Sequence, residues 1–239
     1  MHKLQRTVLA SALLLASSAG LAQAADTGWY VGAGVGRSNY SIDFDRQVRH
    51  AYAGTGDAGN ADYEVDWTDV RDDADTAWKA TLGYRFLPWL GVELAWVDLG
   101  TARTDFRLNS TRPLVNGSAT AHGHYDLNGA TLALNADYPI GESFAIGGRV
   151  GLFASNLDYD ETGTTVTGAP YSFHADGKDQ TKAFAGLGAT WHVGEHWDVR
   201  LDWDRYFGVG ERFALNETGN GRFGHVDAYT VNLFYRFGH

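Results

Sequence analysis

The chain contains no cysteine, which excludes a disulfide framework and any thiolate site. Proline occurs only 4 times, and two of the four stand in compact turn signals, Leu87-Pro88 and Pro139-Ile140-Gly141. Basic residues are outnumbered, 19 Lys and Arg against 29 Asp and Glu, a formal charge of -10 that argues against nucleic acid as a partner. Long hydrophobic runs are missing too. After residue 24 no stretch is apolar enough for the ~20 residues a spanning helix needs. If the mature chain lies in a membrane, it must therefore be a closed barrel, the only other way to satisfy every backbone group in lipid.

The N-terminus carries the nearest approach to an apolar run. Lys3 and Arg6 precede the apolar stretch Val8 to Ala16, and Ala22-Gln23-Ala24 is a small-x-small cleavage site. Residues 1–24 therefore read as a secretory signal peptide and 25–239 as one outer-membrane β-barrel domain. The run is too short for a spanning helix. Taking its two basic residues from the 19, against 29 acidic ones, lowers the mature charge to about -12.

Glycine, at 30, and aromatics, at 13%, are abundant, and they follow a period of two. From Val226 to Phe237, large apolar Tyr229, Val231, Leu233, Tyr235 and Phe237 alternate with Thr230, Asn232 and Arg236; Phe234 is the exception. Seven earlier stretches repeat the pattern. Trp29, Val31, Ala33 and Val35 alternate with Tyr30 and three glycines. Trp78 to Phe86 places Lys79 and Arg85 on its polar face, and Leu90 to Trp96 places Glu93 there. Ala130 to Tyr138 alternates with Thr131, Asn135 and Asp137, and Phe144 to Leu152 with Arg149. Ala183 to Val193 has Lys182 and Thr190 on its polar side. Trp197 to Trp203 has Asp198, Arg200 and Asp202, with Asp204 following. Polar loops are predicted at Ser41–Asp75, Gly100–Gly123, Asn156–Asp179 and Gly208–His225.

Eight strands with alternating short turns and long loops predict an all-β, eight-stranded antiparallel up-and-down transmembrane barrel. Trp29, Phe86, Trp89, Tyr138, Phe144, Trp197, Tyr235 and Phe237 gather at the short-turn end, where an interfacial girdle belongs. A soluble barrel would turn the apolar faces inward. Its outside would then carry the glycines and charges, which suit a dry core poorly and a polar lumen well.

Short motifs run through the chain in order. They are Gly28-Trp29-Tyr30-Val31-Gly32-Ala33, Leu82-Gly83-Tyr84-Arg85-Phe86, Leu90-Gly91-Val92-Glu93 and Asp98-Leu99-Gly100. Asp137-Tyr138-Pro139-Ile140, Phe184-Ala185-Gly186 and Tyr235-Arg236-Phe237-Gly238 complete the set. In these, and in its aromatic terminal strand, the chain resembles the N-terminal transmembrane domain of the OmpA proteins of Gram-negative outer membranes. The resemblance implies a cell outer-membrane location and partnership with outer-membrane lipids and lipopolysaccharide. It also implies assembly through periplasmic chaperones and the barrel-assembly machinery, read from Tyr229, Val231, Leu233, Tyr235 and Phe237. OmpA proteins usually continue into a peptidoglycan-gripping domain; this sequence ends at His239, so no tethering role is expected.

The face assignment puts Lys79, Arg85, Glu93, Asp137, Arg149, Lys182, Asp198, Arg200, Asp202, Asp204 and Arg236 inside, where both signs can pair. The resemblance implies that a lumenal glutamate and arginine pair at Glu93 and Arg200, with Asp202 matching a further acidic position. The family's alternative partners, a lysine and a glutamate, are Asn135 and Thr190 here, so its charge switch lacks a second arrangement. Structural filler is the plainer role for these charges.

Enzyme signals are weak. His192-Val193-Gly194-Glu195-His196 matches a zinc-peptidase string, but that chemistry needs a helix, and Gly194 lies between two period-two strands. His122 and His124 make two ligands at most. Gly32, Gly34 and Gly36 precede no helix and form no dinucleotide loop. The acidic first loop is read as solvated, with divalent-cation binding as its alternative. The expected function is a non-enzymatic, monomeric surface barrel with at most a narrow, mostly closed, porin-like pore, without cofactor or metal. The alternative is a lipid-active outer-membrane enzyme.

Overall fold

A computed structural model describes residues 27–42, 63–72, 74–110, 117–165, 167–176, 180–209 and 223–237. The expected signal peptide, 1–24, and the centre of the acidic first loop lie outside them. Ten strands follow in order: β1 Gly28–Ile42, β2 Tyr63–Asp72, β3 Ala74–Leu87, β4 Leu90–Ser110, β5 Ser118–Ile140, β6 Phe144–Thr164, β7 Pro170–Asp176, β8 Gln180–His192, β9 Trp197–Phe207 and β10 Phe223–Arg236. Eight of them form a ring, β4-β3-β1-β10-β9-β8-β6-β5, closed by the β4–β5 pairing. All pairings are antiparallel, and connections run between neighbours, so this is the expected up-and-down barrel.

Closure depends on the chain ends. β1 and β10 pair from Tyr30↔Arg236 through Val31↔Tyr235, Ala33↔Leu233 and Val35↔Val231. The Phe237 amide donates to the Trp29 carbonyl at 3.0 Å, one step beyond the ladder. With each of the eight ring strands paired on both sides, the ring among the described residues leaves no edge to lipid.

The outside of the ring is apolar. Leu132, Leu134, Val150, Leu187, Leu201, Val231 and Leu233 each leave half or more of their surface uncovered. A continuous band of that kind is a lipid-facing surface rather than scattered exposure. Aromatics bound it. At the short-turn end Trp197 meets Tyr235 at 5.0 Å, Tyr235 meets Phe237 at 5.2 Å, and Trp29 meets Tyr84 at 5.0 Å. Trp78, Phe207 and Tyr229 stand exposed at the other end. The run from Trp197 to Phe207, at about 3.3 Å per residue and a tilt of about 40°, rises about 25 Å, the height of an outer-membrane band.

Three of the predicted polar loops contain strand among their described residues, which corrects the sequence reading. Within 41–75 lie the end of β1, all of β2 and the start of β3. Within 100–123, β4 runs on to Ser110 and β5 begins at Ser118. Within 156–179, β6 reaches Thr164 and β7 follows. Of the fourth, 208–225, the described residues from Phe223 onward begin β10. β2 and β7 stand outside the ring, paired to the upper ends of β4 and β6.

Two features hid these extensions. Outward positions above the membrane are polar, as loop residues are: the Asp105 carboxylate meets His122 Nδ1 at 2.7 Å across β4 and β5. In addition, a bulge between Asp98 and Thr101 breaks the alternation. Val97 and Leu99 point inward below it and Ala102 above it, so the inward parity changes from odd to even. Gly100 makes the bulge possible with φ +75, where a Cβ would also lie 2.7 Å from the Thr76 carbonyl oxygen.

Candidate functional site: the charged lumen

Every second residue of a barrel strand points inward, and β9 delivers Asp198, Arg200, Asp202 and Asp204 to the lumen in one column. β3 adds Lys79, β4 Glu93 and β6 Arg149; all seven side chains are nearly solvent-free. On β8, Gly186 faces Asp204, and a Cβ there would sit 2.1 Å from its Oδ1. The missing side chain is what lets the carboxylate reach Arg149.

The structure brings Glu93 and Arg200 together. Arg200 Nη1 donates to Glu93 Oε1 at 2.6 Å and Nη2 to Oε2 at 3.1 Å, a two-pronged pair. The Tyr30 hydroxyl donates to the same Oε1 at 2.8 Å. Phe234, the exception to the alternation of β10, lies under the guanidinium, whose centre is 4.3 Å from its ring.

Asp202 is the hub. Its Oδ2 accepts from Lys79 Nζ at 2.7 Å and from Asn232 Nδ2 at 2.9 Å. Its Oδ1 lies 2.9 Å from Arg149 Nη1 and 3.0 Å from Arg200 Nε. Asp204 accepts from Arg149 Nε at 2.6 Å and from Lys79 at 3.2 Å. Three cations thus interlock with three carboxylates, and the layer is neutral. Moving a charge-sized ion out of water carries an idealised penalty of order 20 kcal/mol, so these groups hold only as a matched set.

Toward the short turns a second, wetter layer follows. Arg85 meets Asp137 at 3.2 Å, and Arg236 Nε meets Asp198 at 3.2 Å. His192 Nδ1 is 2.7 Å from the other oxygen of Asp198. Lys182 shares the inward face of β8 but stands beyond Phe184, half-buried and outside both layers.

Lys79 and Arg149, two of the expected inward charges, are held by Asp202 and Asp204. Thr190 is paired in register with Arg200, and Asn135 with Arg149, so neither can supply an opposite charge where it stands. The two histidines of the zinc-peptidase string part company: His192 faces Asp198, while His196 lies 5.5 Å from the Tyr235 ring. Tyr30 and Asn232 were not singled out by the sequence reading; their inward parity was the available signal.

Comparison with known proteins gives the family. The OmpA-like transmembrane domain model matches residues 23–239. Outer membrane protein A of Serratia marcescens is 27% identical over 241 residues, covering 98% of this chain and 57% of the relative. The chain thus spans a little over half the length of that relative. Among solved structures, Neisserial surface protein A aligns over 88% of this chain and 97% of its own, at 11% identity and TM-score 0.44. The outer membrane protease OmpT of Escherichia coli aligns over 92% and 99%, at 11% identity and TM-score 0.40. With the family model spanning nearly all of a closed barrel that has an apolar exterior, the chain belongs to the OmpA-like transmembrane domain family of outer-membrane β-barrels.

Proposed function

We propose that this is a non-enzymatic outer-membrane barrel of Gram-negative cells, with a structural role and a surface-presenting one, and a lumen that conducts only through rare, narrow openings. The observation that carries this reading is a lumen filled from wall to wall: each charge of the central layer touches an opposite charge within 3.2 Å, and the rings of Phe153, Phe184 and Tyr206 pack together above that layer. A water-filled channel needs mobile, hydrated groups, and here the walls meet. Strands β4, β5 and β6 carry on above the apolar band, so their upper ends stand clear of the lipid where other molecules can meet them. Cleavage after Ala24, assembly through the terminal aromatic strand and contact with lipopolysaccharide complete the proposal. Planar-bilayer recording tests it, with long closed periods and small, infrequent openings expected. Frequent large openings would refute it, and release of modified lipid A or cleaved peptide by the purified barrel would refute its non-enzymatic part.

A further inference from the structure

The lumen is not polar along its whole length. On β9 the inward column runs Asp198, Arg200, Asp202, Asp204 and then Tyr206, so one pleat step separates the last carboxylate from a fully buried ring. Phe153 of β6 packs against that ring at 4.8 Å, and Phe184 of β8 stacks on it at 5.3 Å. None of the three exceeds 4% exposure. Leu99, Leu127 and Val226 extend the same buried cluster to β4, β5 and β10. The layer therefore reaches around the ring, from staves on every side.

Solvent access is graded along the column. At the short-turn end the His192 and Arg236 side chains are 23% and 22% exposed. In the central ionic layer exposure falls to 8% or less. Above it stand the rings. Short turns of such barrels face the periplasm, so water approaches the charges from that side and is stopped by the aromatic layer on the other.

From this we infer that the permeability barrier of the barrel is the aromatic layer of Phe153, Phe184 and Tyr206, and that the ion pairs below it form the floor of a periplasm-facing vestibule. The inference rests on the closed-lumen reading above and says which residues enforce it. An ion passing between Phe153, Phe184 and the Tyr206 ring meets mainly aromatic carbon, which cannot replace its hydration shell, whatever the salt bridges do; apolar constrictions exclude ions by dewetting. Rearranging Glu93 and Arg200 would leave that obstacle in place.

Bilayer recordings on three proteins test this, each first shown to be folded by its heat-modifiable migration on gels. The unmodified protein and Glu93→Gln/Arg200→Gln should share the same closed behaviour. Phe153→Ala/Tyr206→Ala should raise open time about tenfold or more, as expected when a dewetted constriction is widened. If that variant does not fold, the single Phe184→Ser change, which exchanges a buried ring for a small hydroxyl side chain, should still raise open time severalfold. Opening by the charge variant while folded aromatic variants stay closed would overturn the inference. Frequent openings of the unmodified protein would instead defeat the closed-lumen reading itself.

Discussion

The two halves of this barrel are built from the same strands with opposite faces. In the membrane half, β4, β5 and β6 turn Leu94, Leu132 and Leu152 outward and Glu93 and Arg149 inward. Above the band the same strands turn Asp105, His122 and Asp160 outward, and Leu127, Leu157 and Tyr159 inward. The upper half is a water-soluble sheet with an apolar interior; the lower half is its inversion. Backbone hydrogen bonding is continuous between them, so the surrounding medium alone explains the reversal. Even the buried polar groups differ. Below, carboxylates are held by cations. Above, the buried Glu161 accepts from the Tyr159 hydroxyl, and from the Tyr171 hydroxyl at 2.7 Å. Burial raises the Tyr159 phenol well above its ordinary range, helped by Tyr125 and by Glu161, so it remains a neutral donor.

The sharpest way to break this contrast is at the hub of the lower half. Asp202→Asn removes one carboxylate from among three cations, and a loss of ~3–5 kcal/mol is expected in urea titrations of vesicle-inserted protein. The paired change Glu93→Gln with Arg200→Gln should be less damaging than the sum of the two singles, since neither charge is then stranded. Strict additivity would mean that the side chains do not interact in the membrane.

In the upper half the vulnerable element is apolar. Leu127→Ala should cost ~2–5 kcal/mol. Protection of β4–β6 amides against hydrogen exchange would report it. A neutral result would mean that the upper interior is not packed as a core.

The outer faces give a matched pair of arginine substitutions. Leu201→Arg, at mid-band on the lipid side, should cost ~2–4 kcal/mol. His122→Arg, outward above the band beside Asp105, should stay within about 0.5 kcal/mol of the unmodified protein. Equal costs at both sites would erase the boundary drawn between lipid and water.

Phe237→Ala should change stability least, because its ring is partly exposed and lies past the last strand residue. Its expected effect is on assembly: less heat-modifiable barrel and more unassembled chain in the periplasm. An unchanged yield would remove Phe237 from the recognition features of the terminal strand.

Period-two alternation by itself determined the eight staves, their inward and outward faces and the short-turn aromatic girdle, because in a membrane barrel each residue's solvent depends on its parity. The same rule misled where the medium changed. Polar outward residues such as Asp105 and His122 read as loop, and the bulge at Gly100 broke the parity that would have extended β4. The pairing inside was another matter. The family resemblance pointed to Glu93 with Arg200, residues 107 positions apart, but no local signal places Asp202 among Lys79, Arg149, Arg200 and Asn232. Those contacts exist because closing β1 on β10 curves the sheet until side chains from β3, β6, β9 and β10 converge. Parity fixes which way a side chain points; only the closed ring fixes which others it meets.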